Sequence, residues 1–359
     1  MQYNPNQVRE RTLIIRADAT PQMGSGHITR CRALAQAWRQ LGGQAVFITS
    51  QQSPSLVEEL LGEGFAVHRL DDVYPHPADL EKTMAIIQDF SGSWVVLDGY
   101  HFDSIYLERL SRNGNRILLI DDMKHLPEYR VDLILNQNLH AVDIQYKTRP
   151  DTKLLLGTRY ALLRHEFSQW ADGHRETGET AGKLLITLGG GDATELALKT
   201  MTALQELTRQ NKLKTVLLGG GNNPRYHELE EFARKAAIPG LTVERYLADM
   251  PSQMAWADLA VAAAGSTLWE MAFMGLPALT IVRADNQTEI ARRTEMAGCT
   301  VNLGWHESVT EGELVSRIQA LIDNAEKRRE MSEAGRRLVD GKGPERVIQA
   351  LLDYEEGIL

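Results

Sequence analysis

The sequence predicts an α/β protein with two parallel-sheet domains, and three observations lead there. At 359 residues the chain exceeds what one hydrophobic core usually organises. Short apolar runs alternate with longer amphipathic stretches, which is the rhythm of βαβ units. That rhythm starts twice, each time with an apolar run leading into a glycine-rich loop.

The first series opens at Thr12 with LIIRAD, followed by the helix-like ITRCRALAQAWRQLG, then QAVFITS and SLVEELLGEGF. It continues through SWVVLDGY, SIYLERLSRNG, RILLIDD and VDLILNQN. Each apolar run ends in polar or glycine residues, as a strand does where it meets a loop, and open α/β sheets bind ligands at such loop ends. ADGHRETGETAG, Ala171 to Gly182, is polar and lacks apolar periodicity, so it reads as a linker. The second series runs KLLITLGGGD, a helix from Ala193, KTVLLGGG, a helix from Arg225, LTVERYL, the strand DLAVAAAG, a helix from Thr267 and LPALTIV. The expected boundaries are a first domain over 1–171, a linker over 172–182 and a second domain over 183–340. Residues 341–359 form a C-terminal helix, with packing back on the first domain as one option. The charged stretch from Gly312 to Glu356 reads as helices with solvated faces.

Composition excludes several classes. A net charge of -9 gives no basic footprint for a nucleic acid, although a local pocket could still hold a small anion. Cys31 and Cys299 are far apart and lack metal-binding spacing, so they read as reduced structural thiols. Met1 to Arg11 is polar, and no run approaches the ~18 apolar residues that span a bilayer, so a cytoplasmic protein without a membrane segment is expected. No D-x-D metal clamp, H-E-x-x-H or G-x-S-x-G occurs, and neither a metal nor another cofactor is expected.

RADATPQMGSGHITR places Gly24, Gly26 and His27 between the first strand and the first helix. Glycines there admit close approach of a ligand, and free N–H groups at the helix start favour negative charge. The dinucleotide fingerprint is not met, because Thr29 stands at the third glycine position, and there is no P-loop. An isolated histidine is more often a cap or a satisfied core residue than a catalyst. A helix N-terminus, however, disfavours the imidazolium and leaves a neutral ring suited to general-base work. In the second series GGGD and GGGNN follow apolar strands, and Gly265, Ser266 and Thr267 directly precede a helix with Glu270 in its first turn. That helix end suits a diphosphate and a ribose; plain capping of the helix by Ser266, Thr267 and Glu270 is the competing reading.

MGSGHITRCRALAQAW, LDGYHFD, LLIDD, DLILNQN, GTRYALLRHEF, LGGGD, AAAGSTLWEMAFMGLPALTI and ADNQ, in this order, resemble the UDP-2,4-diacetamido-2,4,6-trideoxy-β-L-altropyranose hydrolases of pseudaminic acid biosynthesis and their spore-coat polysaccharide relatives. The resemblance spans about Leu13 to Asn302. It implies a GT-B fold, two Rossmann-like domains facing across a cleft, related to the glycosyltransferase that attaches N-acetylglucosamine in peptidoglycan synthesis. By the same resemblance His27 falls on the catalytic base, Tyr100 on a tyrosine near the reacting sugar, and Asn286 with Gln287 on a pair reaching sugar hydroxyls or phosphate. Glu270 falls on the ribose-binding acid, and Gly190, Gly191, Ser266 and Thr267, beside Gly265, on nucleotide-loop positions. Asp18, Asn136 and Asn138 match loop positions on the sugar side. The chain departs from the family by a longer N-terminal lead and a longer helical C-terminus.

The expected activity is therefore release of UDP from a UDP-linked deoxy-diacetamido sugar, by water attacking the anomeric carbon with inversion. The partner is a small UDP-sugar, and the sequence carries no indication of oligomeric state. A GT-B glycosyltransferase with a UDP-sugar donor, a nucleotide-sugar sensor without turnover, and an epimerase of the same fold are the alternatives.

Overall fold

The computed structural model describes residues 8–20, 24–50, 54–112, 114–173, 175–210, 213–247 and 249–358; His174, in the expected linker, and Met1 to Gln7, at the head of the expected first domain, lie outside them. Two compact units are present, one of Met1–Thr20, His27–His165 and Lys342–Leu359, the other of Pro21–Gly26 and Glu166–Gly341.

In the first unit, strands β1 (Thr12–Ala17), β2 (Gln44–Thr49), β3 (Ala66–Arg69), β4 (Trp94–Asp98), β5 (Arg116–Ile120), β6 (Leu133–Asn136) and β7 (Lys153–Leu156) form one sheet. Its order is β3-β2-β1-β4-β5-β6-β7, and every pairing is parallel. Helices α1 (Gly26–Gln40), α2 (Pro54–Gly62), α3 (Pro77–Ile87) and α4 (Ser104–Ser111) provide crossovers. Both faces of the sheet are covered, so β4 reads WVVLD, buried throughout, instead of alternating polar and apolar residues. The chain order reverses direction between β1 and β4, the switch point at which open sheets of this class hold their ligands.

The second unit repeats this plan with β8 (Lys183–Thr187), α5 (Thr194–Gln210), β9 (Lys214–Leu218), α6 (Tyr226–Ala236), β10 (Leu241–Glu244), α7 (Met250–Trp256) and β11 (Leu259–Ala263). It continues with α8 (Thr267–Met274), β12 (Ala278–Val282), α9 (Asp285–Met296), β13 (Thr300–Trp305), α10 (Glu311–Ile322) and α11 (Ala325–Leu338). Its parallel sheet has the order β10-β9-β8-β11-β12-β13, with the switch point between β8 and β11.

The last helix, α12 (Gly343–Glu355), is more than a solvated surface element. Val347, Ile348 and Leu351 are fully buried in the core under β1 and β4 of the first unit, beside Leu13, Ile15 and Trp94. Their i, i+1, i+4 spacing makes one apolar face of a helix whose other face carries the charges. Tyr354 and Glu355 finish the docking: Tyr354 Oη donates to Asp132 and Trp94 Nε1 to Glu355 Oε1, at 3.0 and 2.9 Å. Both cysteines are free and buried. Among the described residues no helix is long and apolar enough to cross a membrane, and no group of three or more His, Cys, Asp or Glu is spaced to hold a metal ion.

Candidate functional site

In the first unit the chemistry collects at the C-terminal ends of β1, β4, β5 and β6. An apolar strand that ends in an acid delivers that acid, buried, to the edge of the sheet. Asp98 ends β4, Asp121 and Asp122 follow β5, and Asn136 ends β6. The charges are neutralised locally, as burial of carboxylates demands.

His27 lies in the first turn of α1 and is 7% exposed. Its Nδ1 is 2.6 Å from Asp98 Oδ1. A carboxylate offers only lone pairs, so Nδ1 carries the proton of this bond and Nε2 is the nitrogen with a free lone pair in the neutral ring. Arg30, one turn further along α1, fixes the carboxylate from the other side. Its Nε and Nη2 donate to the two oxygens of Asp98 at 2.6 and 2.7 Å, and its Nη1 donates to Asp122 Oδ2 at 2.5 Å. Such a fork-to-carboxylate pair adds geometry as well as energy. Burial alone would raise the Asp98 carboxyl, but the Arg30 guanidinium and then the His27 ring hold it well below the usual carboxylate range. Asp98 is thus a fixed anion behind the imidazole. Tyr100 packs edge-on to His27 with ring centroids 5.0 Å apart, and its hydroxyl donates to Asp122 at 3.1 Å.

The other residues expected on the sugar side face inward. Asp18 is fully buried: its oxygens accept from Arg16 Nη1 at 2.5 Å and from the Ser50 amide at 2.7 Å, with His101 Nε2 at 3.0 Å. Burial pushes its carboxyl up, and the bonds from His101 and Arg16 outweigh this and hold it low. Asn136, also fully buried, donates to Tyr146 Oη and accepts from the Asn138 amide. Asn138 donates to Asp122 at 2.8 Å. These side chains hold the loop ends in place. Gly24 has φ of 72°, and Gly26 starts α1.

Two further histidines share this edge. His101 meets Asp18, while His125 lies between Asp121, 3.3 Å from Nδ1, and the Phe102 carbonyl, 3.0 Å from Nε2. Burial lowers the His125 pKa and Asp121 more than restores it, leaving it above its ordinary value of 6.5. A separate cavity of about 450 Å³ lies at the opposite, N-terminal edge of the sheet, bordered by Arg11, Trp94, Arg116 and Glu355.

In the second unit the loop ends of β8, β9, β11 and β12 carry the expected nucleotide residues. The β8–α5 loop contains Gly190 and Gly191, and the β9–α6 loop packs directly on it. The Asn222 amide donates to Gly190 O at 3.0 Å, and a Cβ on Gly220, whose φ is 92°, would lie 3.0 to 3.3 Å from the carbonyl oxygens of Gly189, Gly190 and Gly191. Only glycine fits there. Asn223 braces the loop by donating to Gly219 O and Thr194 Oγ1. At the end of β11, Gly265 turns the chain into α8. Ser266 occupies the N-cap with helical backbone angles and makes no side-chain cap bond, so capping does not account for its hydroxyl; Thr267 begins the helix and Glu270 is 6% exposed in its first turn. Asn286 and Gln287 open α9, and Gln287 Oε1 accepts from the Arg283 amide at 2.9 Å.

Residues 184–342 match the Glycosyltransferase family 28 C-terminal domain. The structure of Acinetobacter baumannii MurG superposes with a TM-score of 0.66 at 16% identity, covering 95% of this chain and 99% of that one. The fold is that of the GT-B glycosyltransferases. The chain is 24% identical over 344 residues to the spore coat polysaccharide biosynthesis protein SpsG of Bacillus subtilis (strain 168), covering 95% of this chain and 98% of that protein. It is 26% identical over 227 residues to the UDP-2,4-diacetamido-2,4,6-trideoxy-beta-L-altropyranose hydrolase of Campylobacter jejuni subsp. jejuni serotype O:2, covering 62% of this chain and 74% of that one.

Asp98, Arg30, Asp122, His101, His125 and Arg283 were not singled out from the sequence. For the first three a signal was present. Asp98 closes the strand WVVLD, Asp122 lies two residues beyond the strand RILLI, and Arg30 follows His27 by three residues, hence on the same helix face.

Proposed function

We propose that this chain hydrolyses a UDP-linked deoxyamino sugar, with His27 as the general base. The observation that carries this reading is the His27–Asp98 pair at the sheet switch point, with Nδ1 committed to the carboxylate and Nε2 left to accept a proton. In the reaction Nε2 takes a proton from water as the water oxygen bonds to the anomeric carbon. The bond from that carbon to the β-phosphate oxygen breaks on the opposite face, UDP leaves with the electron pair, and configuration inverts. Asp98 and Arg30 keep the ring in place, and Asp98 stabilises the imidazolium that forms. The diphosphate is a good leaving group, so a single base with electrostatic stabilisation of the departing charge suffices. In this reading the glycine loops after β8 and β9 and the start of α8 hold UDP, Glu270 takes the ribose, and Asn286 and Gln287 reach the sugar or phosphate. Tyr100 lies beside the reacting sugar. The similarity to the Campylobacter hydrolase supports water as acceptor.

Transfer of the sugar to an acceptor hydroxyl is a second reading, favoured by the match to the glycosyltransferase family 28 domain. Incubating the protein with a panel of UDP-sugars and no acceptor separates the two. A hydrolase releases UDP to completion with one of them, and NMR of the first product gives the inverted anomer. UDP released only on adding an acceptor would replace hydrolysis with transfer.

A further inference from the structure

Arg283 stands at the end of β12, in the second unit, and its side chain reaches back across the sheet edge to the β8–α5 loop. Nη1 donates to Leu188 O and Nη2 to Asp192 O, so one guanidinium bridges the two ends of the glycine segment 189–191. Its own amide donates to Gln287 Oε1 at 2.9 Å. A Cβ added to Gly189, where φ is 100°, would stand 3.2 Å from Nη1, so the loop is shaped around this group. The guanidinium is partly withdrawn from water: burial lowers its pKa, with Asp192 opposing the shift. Each of its two outer nitrogens donates to a backbone carbonyl, which is the work of a brace. A lysine cannot imitate it, since an ammonium is a point charge without the planar fork that spans two carbonyls.

We propose that Arg283 is a positioning residue that fixes the nucleotide loop after β8 and, through Gln287, sets that loop in register with the start of α9. The inference rests on the reading of these loops as the site for a nucleoside diphosphate and its sugar. It assigns Arg283 a role in substrate affinity exercised through the shape of the loop. The energetic argument is preorganisation: a loop already held in its bound shape gives up less entropy on binding.

The experiment compares wild type, R283K and R283Q as full chains, using UDP as the probe in calorimetry and UDP release for kinetics, with thermal melting to identify folded variants. Hydrogen exchange on ligand-free protein reads residues 188–192 directly. R283K is expected to weaken UDP binding and raise KM about tenfold, while kcat changes by less than about threefold. Exchange at 188–192 is expected to accelerate while that of β8 itself stays slow. Unchanged UDP affinity and unchanged exchange in folded R283K would overturn the role. A fall in kcat with KM unaltered would overturn it as well. Wild type that does not bind UDP would overturn the nucleotide reading of the loops itself, whereas a wild type that binds beside an unaffected variant removes Arg283 alone.

Discussion

In the proposed reaction the deciding residue is His27, whose ring is held by Asp98 and Arg30. His27→Gln should lower UDP release by about 10²- to 10⁴-fold, the usual worth of a general base, with UDP affinity measured by calorimetry unchanged. Asp98→Asn should cost a similar factor for a different reason. An amide can present its N–H to Nδ1, which selects the wrong tautomer and removes the lone pair from Nε2. A D98N enzyme that turns over at the wild-type rate would show that orientation of the ring is not needed. His125 allows a test by pH. Its folded pKa is raised above 6.5, so its pairing with Asp121 contributes fully below that value and is lost as pH rises through the folded value. The gap in urea midpoint between wild type and His125→Gln should therefore narrow from about pH 6.5 upward. A gap that widens with pH would contradict the assignment. At this scale the sequence placed His27 in a glycine loop ahead of a helix and Asp98 at the end of an apolar strand, but not the pairing of the two. The pairing joins residues 71 positions apart, and only the register between β1 and β4 brings them together. Asp18, Asn136 and Asn138 were recognisable as loop-end polar groups, but the direction each side chain faces depends on Arg16, Tyr146 and Asp122, which no local pattern reveals.

Among the elements, the strands were the most legible, because strands buried on both faces read as unbroken apolar runs bounded by polar loops. The short edge strands β3 and β10 were harder to bound, having no buried residue and carrying polar residues in AVHR and LTVE. The helix α12 shows what charge interleaving conceals. Its apolar residues fall on one face, and that face is core. Its start is also sterically fixed: a Cβ on Gly343 would lie 2.0 Å from the carbonyl oxygen of Ala161, so backbone and not a flexible side chain blocks it. Gly343→Ala should destabilise the first unit by about 1–3 kcal/mol, as overpacking does, and Leu351→Ala by about 2–5 kcal/mol through the cavity it leaves. Denaturant midpoints followed by hydrogen exchange in β1 and β4 check both. No change in either variant would mean that α12 is dispensable to that core.

For the whole molecule the relevant fact is that each unit has its own core, sheet and switch point. The edge bearing His27 belongs to one and the glycine loops to the other, so on the proposed reading base catalysis and nucleotide binding can be damaged separately. Deleting residues 342–359 should accelerate hydrogen exchange throughout the first sheet while the second sheet keeps its protection and its affinity for UDP. Loss of protection in both sheets would show that they unfold as one. The chain passes from the first unit at His165 into the second and returns only at Lys342. During vectorial synthesis, therefore, the later-made glycine-loop unit has all of its residues outside the ribosome before the histidine-bearing unit receives its last helix. The earlier half must wait, with part of its apolar surface uncovered, for a segment made after the entire other half, which reverses the usual N-terminal-first order of domain completion.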